Sequence, residues 1–340
     1  MARRRDIGTD DPRVRVRPGR GSRPRTKRRP DYSDAPRGSV TSVDRGRYGV
    51  LSDDGVALVA VKAREIPSVV IGDRVALTSD LSGKKDTLAR IVEVDPRETE
   101  LARSAEDGES SGQQRVIVAN ADQLLIVTAL ADPPPRPGMI DRCLVAAYDG
   151  GLRPILCLTK SDLTSDAEMR RLYEPLDLEI VTTSIDTSGN ATGMAELREL
   201  LGGSRTVLIG HSGVGKSTLV NELVPDAARK TGDVNVVTGR GRHTSTSAIA
   251  FVSEDGTWII DTPGVRSFGL AHVEPDDLLR GFDDLSRIAA ECPRGCEHRA
   301  DSLECALTDY AQTSPRAAAR VESYRRLLAA REAVLPDYER

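Results

Sequence analysis

The sequence predicts a multi-domain protein: a small β-barrel of the OB type, then a doubly wound α/β sheet carrying a phosphate loop, then a helical domain built on a Cys/His cluster. Three observations predict it. Short β-rich pieces fill 38–103, strand-like and helix-like segments alternate through 115–270, and 271–340 turns helical around three cysteines and a histidine. With 340 residues, 39% of them hydrophobic, the chain can bury a core in each part, and no apolar run is long enough to span a membrane.

The first 37 residues stand apart. They hold 13 Arg and Lys against 5 Asp and Glu, so this arm carries +8 and the rest of the chain −12. Rich in Pro and Gly and without periodicity, 1–37 reads as a disordered basic arm. An acidic body with a basic arm fits a polyanion first met by the arm, while composition alone reads equally as a solvated tail. No apolar signal core follows the Arg-rich start, so a cytoplasmic protein is expected.

From 38 to 103, five pieces (39–43, 48–51, 56–61, 73–77 and 88–94) are separated by Gly and Asp turns. That number of strands in so short a stretch suits an OB barrel, which commonly holds oligonucleotides. Aromatic residues are 3% of the chain, which keeps open a barrel that only packs against its neighbour. The polar stretch 104–114 reads as a linker. Beyond it 116–118 and 123–130 read as central strands, 139–148 as an amphipathic helix and 153–159 as a buried strand.

The apolar strand 206–209 delivers GHSGVGKS at 210–217, a GxxxxGK[ST] phosphate loop leading into a helix at 218–223. Its glycines let successive N–H groups, over Gly210, His211, Ser212, Gly213, Val214 and Gly215, approach phosphate oxygens at a helix N-terminus that includes Thr218. Lys216 reaches the β- and γ-phosphates and Ser217 ligates Mg²⁺. A hairpin, 247–252 and 257–261, then brings Asp261 to a strand end, where DTPG at 261–264 reads as DxxG. Asp261 holds Mg²⁺ through water and the Gly264 N–H meets the γ-phosphate.

Upstream, TKSD at 159–162 resembles the NKxD motif that reads guanine. Asp162 can accept from N1–H and the 2-amino group, a pattern adenine lacks; Lys160 lies across the base, and Thr159 and Ser161 complete the turn. Thr183 and Ser184, in TTS at 182–184 after the apolar run 178–181, form the companion loop beneath the base. Base recognition thus precedes the phosphate loop, the reverse of the ordinary order, and 115–270 reads as a circularly permuted P-loop GTPase domain.

In the last part Cys292, Cys296 and Cys305 cluster around His298, whereas Cys143 and Cys157 lie singly in apolar segments. In a reducing compartment such a cluster argues for a metal rather than disulfides. A long charged helix runs from Pro315 to about 334.

Barrel, permuted motifs, the segment GRHT at 241–244 and the Cys/Cys/His/Cys cluster together resemble the RsgA (YjeQ) family of small-ribosomal-subunit-dependent GTPases, from about 38 to 331. The resemblance implies a GTPase that binds the small (30S) subunit and its 16S rRNA and assists late maturation among other assembly factors. It implies slow hydrolysis of GTP to GDP alone, faster hydrolysis on the subunit, and one zinc per chain. Three cysteines and a histidine suit a closed, tetrahedral Zn²⁺ site, structural rather than catalytic. A monomer away from membranes is expected. Three departures stand out: Thr159 replaces the usual Asn, the spacing is C-x₃-C-x-H-x₆-C where C-x₄-C-x-H-x₅-C is usual, and the basic arm is an addition.

Val265 follows DxxG where many GTPases carry a water-orienting Gln, so slow intrinsic turnover is expected. His243 is the candidate catalytic replacement beside Lys216, and Thr244, with Thr246 as runner-up, the candidate to complete the Mg²⁺ shell. Two alternatives belong to other classes: an rRNA-binding assembly scaffold with a weakened nucleotide site, which Thr159 favours, and a P-loop metabolite kinase, which DxxG and TKSD disfavour.

Overall fold

Five strands close a barrel in this computed structural model, which describes residues 31–104, 114–185, 191–224, 248–262, 270 and 273–332. They are β1 (Arg37–Asp44), β2 (Arg47–Ser52), β3 (Ala57–Lys62), β4 (Arg74–Ser79) and β5 (Ala89–Val94). β3 and β5 run parallel and the other neighbours antiparallel, in the closed order β1-β2-β3-β5-β4-β1. Val40, Val50, Leu58, Val75, Leu77 and Ile91 fill the interior, all at most 4% exposed, as period-2 alternation requires. The expected barrel is present, and β1 already begins at Arg37, inside the stretch expected to be disordered.

The strand reading at 116–118 needs correction, while 105–113 of the expected linker lie outside the described residues. β6 (Glu100–Ser104) and β7 (Gln114–Ala119) pair antiparallel, out to Ser104 opposite Gln114, as a separate ladder. The strand expected at 116–118 therefore joins no central sheet. Its backbone is taken by β6 and by the barrel: Val118 bridges Ile71, and the Ala119 N–H donates to the Ile71 carbonyl at 2.9 Å. At this seam Gly72 has φ +85°, and a Cβ built on it would lie 1.8 Å from the Ala119 carbonyl oxygen, so only glycine fits. The buried Asp73 carboxylate, held by Arg97 at 2.7 and 3.0 Å and by the Val70 N–H at 2.7 Å, stiffens the same corner.

The central sheet runs β10 (Glu179–Thr182), β9 (Arg153–Thr159), β8 (Gln123–Ala129), β13 (Arg205–Ile209), β15 (Trp258–Asp261) and β14 (Ile249–Val252), in that order. All neighbours are parallel except β14, antiparallel to β15. Every residue of β8, and β13 from Thr206 onward, is buried, as strands covered on both faces must be. The chain leaves β8 toward β9 and β10 on one side and returns on its other side as β13. The switch point therefore opens a crevice between the carboxyl ends of β8 and β13. Two short strands, β11 (Ser184–Ile185) and β12 (Ala191–Thr192), pair by themselves, and β14 touches the barrel through Ile249 opposite Ser42.

Helices α1 (Pro137–Asp149), α2 (Ala167–Tyr173), α3 (Met194–Leu201) and α4 (Lys216–Leu223) cover the sheet. α3 and α4 pack in one core with Leu125, Val127, Leu208 and Ile259, while α1 belongs to the core of the opposite face. The latter also holds the C-terminal helices α5 (Pro275–Leu279), α6 (Asp283–Ala289), α7 (Ala306–Ala311) and α8 (Pro315–Glu332). Phe282 lies 5.0 Å from the Tyr148 ring and 5.7 Å from that of Tyr324.

This packing corrects the amphipathic reading of α1. All residues from Met139 to Ala147 are buried, Asp141 and Arg142 among them, because α8 lies over what would otherwise be a solvent face. Both charges are answered from α8: Arg326 donates to Asp141 at 3.0 Å, and Arg142 donates to the Ala330 carbonyl at 3.1 Å. No described helix is long and apolar enough to cross a membrane.

Candidate nucleotide and metal sites

The phosphate loop sits at the switch-point crevice because β13 ends there. Gly213 and Gly215 take φ of +85° and +89°, and Gly215 caps α4, whose first residue is Lys216. This turn needs residues without a Cβ penalty. Gly210 passes so close to β8 that a Cβ there would lie 2.4 Å from the Val127 carbonyl oxygen. Val214 is buried beneath the loop, Ser212, Ser217 and Thr218 are exposed, and His211 Nδ1 lies 3.0 Å from the Ser212 carbonyl oxygen.

Parallel register brings the other motifs alongside. Leu208 lies opposite Asp261, and Ala129 opposite Thr159, so the ends of four neighbouring strands, β9, β8, β13 and β15, line up. The Lys216 ammonium lies 2.9 Å from Asp261 Oδ1, both side chains partly exposed. Thr262 donates to the Leu208 carbonyl at 3.0 Å and so ties the strand after Asp261 to the loop strand. An ammonium and a carboxylate thus face each other beside the exposed Ser217 at the start of α4.

On the other side, the TKSD turn and the TTS loop also meet. The Ser161 N–H donates to the Thr183 carbonyl at 3.3 Å, and the Thr183 N–H to that of Leu158 at 2.7 Å. Thr183 is buried, and Ser184 shares a 2.8 Å hydroxyl contact with Thr192. Lys160 has φ +58° and donates to the Asp132 carbonyl. Asp162 is exposed, and its carboxylate makes no hydrogen bond to another described residue. Thr159 is 5% exposed and donates to the Val214 carbonyl at 2.6 Å, with the Thr128 carbonyl at 3.3 Å, so the base-side turn and the phosphate loop touch directly. Gly264, His243, Thr244 and Thr246, like the basic arm through residue 30, lie outside the described residues.

Sequence reasoning missed one part of the crevice. The segment 130–136 between β8 and α1 supplies the Asp132 carbonyl to Lys160, and Pro133 lies 3.5 Å from where a Gly213 Cβ would be. The available signal was a proline-rich run at the carboxyl end of a central strand.

The second site lies between α6 and α7. Cys292, Cys296, His298 and Cys305 place three sulfurs and a ring nitrogen within 4.8 Å of one another. His298 Nδ1 lies 3.7 Å from Cys292 Sγ and 3.9 Å from Cys305 Sγ, close to the roughly 3.8 Å edge of a tetrahedron with ~2.3 Å metal–sulfur bonds. Nε2 lies 4.0 Å from a carboxylate oxygen of the exposed Asp276, beyond hydrogen-bond distance. Burial, with Arg325 nearby, lowers the His298 pKa against the pull of Asp276. Burial alone would raise the Cys305 thiol, but the N–H groups of Leu307 and Thr308 together with hydrogen bonds from Cys296 and Cys292 hold its pKa down, while burial raises that of Cys292. Arg325 also donates to the His298 carbonyl at 3.0 Å and to Thr308 at 2.7 Å, binding the cluster to α8. The four residues can hold a metal ion with no position left for substrate.

Comparison with known proteins agrees with this geometry. A family model described as RsgA GTPase matches residues 94–271, just over half the chain. The small ribosomal subunit biogenesis GTPase RsgA of Pseudomonas putida is 38% identical over 268 residues, covering 78% of this chain and 75% of the relative. That of Pseudomonas aeruginosa is 36% identical over 287 residues, 82% and 81% of the two chains. Among solved structures, YjeQ from Thermotoga maritima aligns with a TM-score of 0.65 at 25% identity, over 88% of this chain and 99% of its own. YloQ, described as a circularly permuted GTPase, aligns at 0.63 and 22% identity over 88% and 96%, a likeness of fold.

Proposed function

The chain belongs to the RsgA GTPase family and is a GTP hydrolase, and from that premise we propose that it serves late maturation of the small ribosomal subunit. Turnover is slow on the free protein and faster on the subunit, whose 16S rRNA is the polyanion it meets, with other assembly factors as neighbours. One observation carries the nucleotide reading. Three motifs from a rotated chain order, at Thr159, Gly210 and Asp261, follow or end β9, β13 and β15 at the same edge of the sheet, with β8 between β9 and β13, and Thr159 reaches the phosphate loop at Val214.

In this reading the loop N–H groups and Lys216 bind the β- and γ-phosphates, and the Lys216–Asp261 pair opens as nucleotide enters. Ser217 and Thr244 would hold Mg²⁺, with Asp261 reaching it through water, and the ion would supply positive charge against the phosphate oxygens. Asp162 reads guanine; its exposure beside Thr183 and Ser184 supports that role. Gly264 meets the γ-phosphate, and His243 orients the attacking water on the subunit. The ion at Cys292, Cys296, His298 and Cys305 is one Zn²⁺, for which three thiolates and an imidazole are the preferred donors. It holds the segment between α6 and α7, which has little apolar core of its own.

The test is steady-state turnover of GTP and ATP with and without small subunits. GTP-selective turnover raised by the subunit is expected; binding to the subunit without stimulation, or equal use of ATP, overturns the proposal. A His243→Ala protein that keeps its full stimulated rate removes the assignment of His243.

A further inference from the structure

The loop placed beneath the base leaves the central sheet at Thr182. β10 is the outermost strand of that sheet and only four residues long, and Thr182, opposite Leu158, is its last residue. The end of so short an edge strand opens easily, so the placing of Thr183 and Ser184 depends on what else grips it. Helix α2 supplies a grip. Asp166, just before α2, accepts on Oδ2 from Arg170 Nε at 2.6 Å and from the Thr182 hydroxyl at 2.8 Å, and Arg170 Nη2 donates to that hydroxyl at 3.0 Å. The three side chains close a ring: the hydroxyl gives its one hydrogen to the carboxylate and takes one from the guanidinium. Hydrogen bonds from Arg170 first and Thr182 second hold the Asp166 carboxyl below the usual carboxylate range. On its other side, Gly193 precedes α3 with φ +72°, and a Cβ there would lie 2.0 Å from the Thr182 carbonyl oxygen. Thr182 is therefore held from α2, from β9 and from the start of α3. An Asp–Arg pair four residues apart on a helix surface is worth little by itself. Here the Thr182 hydroxyl joins it to the strand that feeds the base-side loop.

We propose that Thr182 is a positioning residue for the guanine nucleotide: with Asp166 and Arg170 it sets where Thr183 and Ser184 lie, and so sets affinity without entering the hydrolytic step. This rests on the nucleotide site proposed above. The ring is three strands away from β13 and its phosphate loop, so nucleotide once bound is cleaved at the same rate. Asp166 makes no capping hydrogen bond to α2, so its loss acts through the ring and not by uncapping the helix.

The experiment measures GDP affinity of the full chain by competition against a ribose-labelled fluorescent GDP, and kcat and KM for GTP with small ribosomal subunits. Thr182→Val keeps the branched shape and deletes the hydroxyl. It is expected to weaken GDP by about 3–10-fold, the range for one net hydrogen bond, and to raise KM by as much with kcat within about twofold. Thr182→Ser, which keeps the hydroxyl, stays within about twofold of the unchanged chain, an outcome that general loss of packing would not give. Asp166→Ala loses about as much as Thr182→Val, and the double variant no more than either, because both act through one ring. Arg171→Ala, exposed on the same helix and outside the ring, keeps its GDP affinity. Should the Val variant not fold, Thr182→Ser and Asp166→Ala decide the matter. Unchanged affinity in Thr182→Val or Asp166→Ala, an equal loss in Thr182→Ser or Arg171→Ala, additive losses in the double variant, or a kcat that falls at constant KM overturns the proposal and leaves the nucleotide site in place. A wild-type chain that binds no guanine nucleotide overturns the functional reading and the proposal with it.

Discussion

Replacing Arg326 by Met removes the partner of a buried carboxylate where α8 crosses α1. Arg326 Nε donates to Asp141 Oδ2 at 3.0 Å; the Asp141 side chain is 5% exposed and that of Arg326 27%. The guanidinium also lies 5.1 Å from the Tyr173 ring centroid and within 3.4 Å of the Leu172 carbonyl. Stranding a buried charge costs about 3–5 kcal/mol. Water reaching the partly exposed half of the site relieves some of that, so a loss of about 2–4 kcal/mol is expected. At a urea slope of about 3 kcal/mol/M the midpoint falls by about 1 M. The assay follows far-UV circular dichroism and the fluorescence of Trp258, the chain's one tryptophan, which is 6% exposed in the central sheet.

The pH dependence has a definite sign. Burial raises the Asp141 pKa even though Arg326 opposes it, and without Arg326 it rises further. Between the ordinary carboxyl value near 3.9 and the raised one the native state then binds more protons than the unfolded chain. Stability from this group is therefore present at low pH and lost as pH rises through the raised value, so the deficit of Arg326→Met is smaller in mild acid than at pH 8. Adding Asp141→Leu recovers most of the loss. A deficit below about 1 kcal/mol, or a double variant no more stable than the single one, refutes the reasoning.

Asp162→Asn replaces an acceptor by a donor; it should weaken GTP by about 100-fold or more and favour XTP, whose 2-carbonyl accepts, as competition binding will show. Cys305→Ser should cut the metal bound per chain to well under half of that on the unchanged chain, measured by metal analysis after gel filtration, and should increase proteolysis within 292–305. Gly72→Ala must place a Cβ against the Ala119 carbonyl at positive φ, so a loss of about 3 kcal/mol or more is expected in thermal unfolding.

Local chemistry was legible in the sequence because it is written in short windows. The phosphate loop needs glycines and a lysine at fixed offsets, the hairpin before Asp261 needs a polar turn, and five alternating segments separated by turns make a small barrel. The misread stretches are those whose role depends on a distant neighbour. The run at 116–118 has the composition of a central strand, yet pairing with β6 and Ile71 places it at the barrel seam. α1 carries Asp141 and Arg142 as a solvent-facing helix would, and only α8, nearly two hundred residues on, makes them interior. Thr159 shows the division most clearly. By sequence alone it is a departure from the usual Asn; the parallel pairing of β8 with β9 and with β13 sets its hydroxyl against the Val214 carbonyl. Residue type determined which bonds each group could make, and tertiary structure decided which partners came within reach.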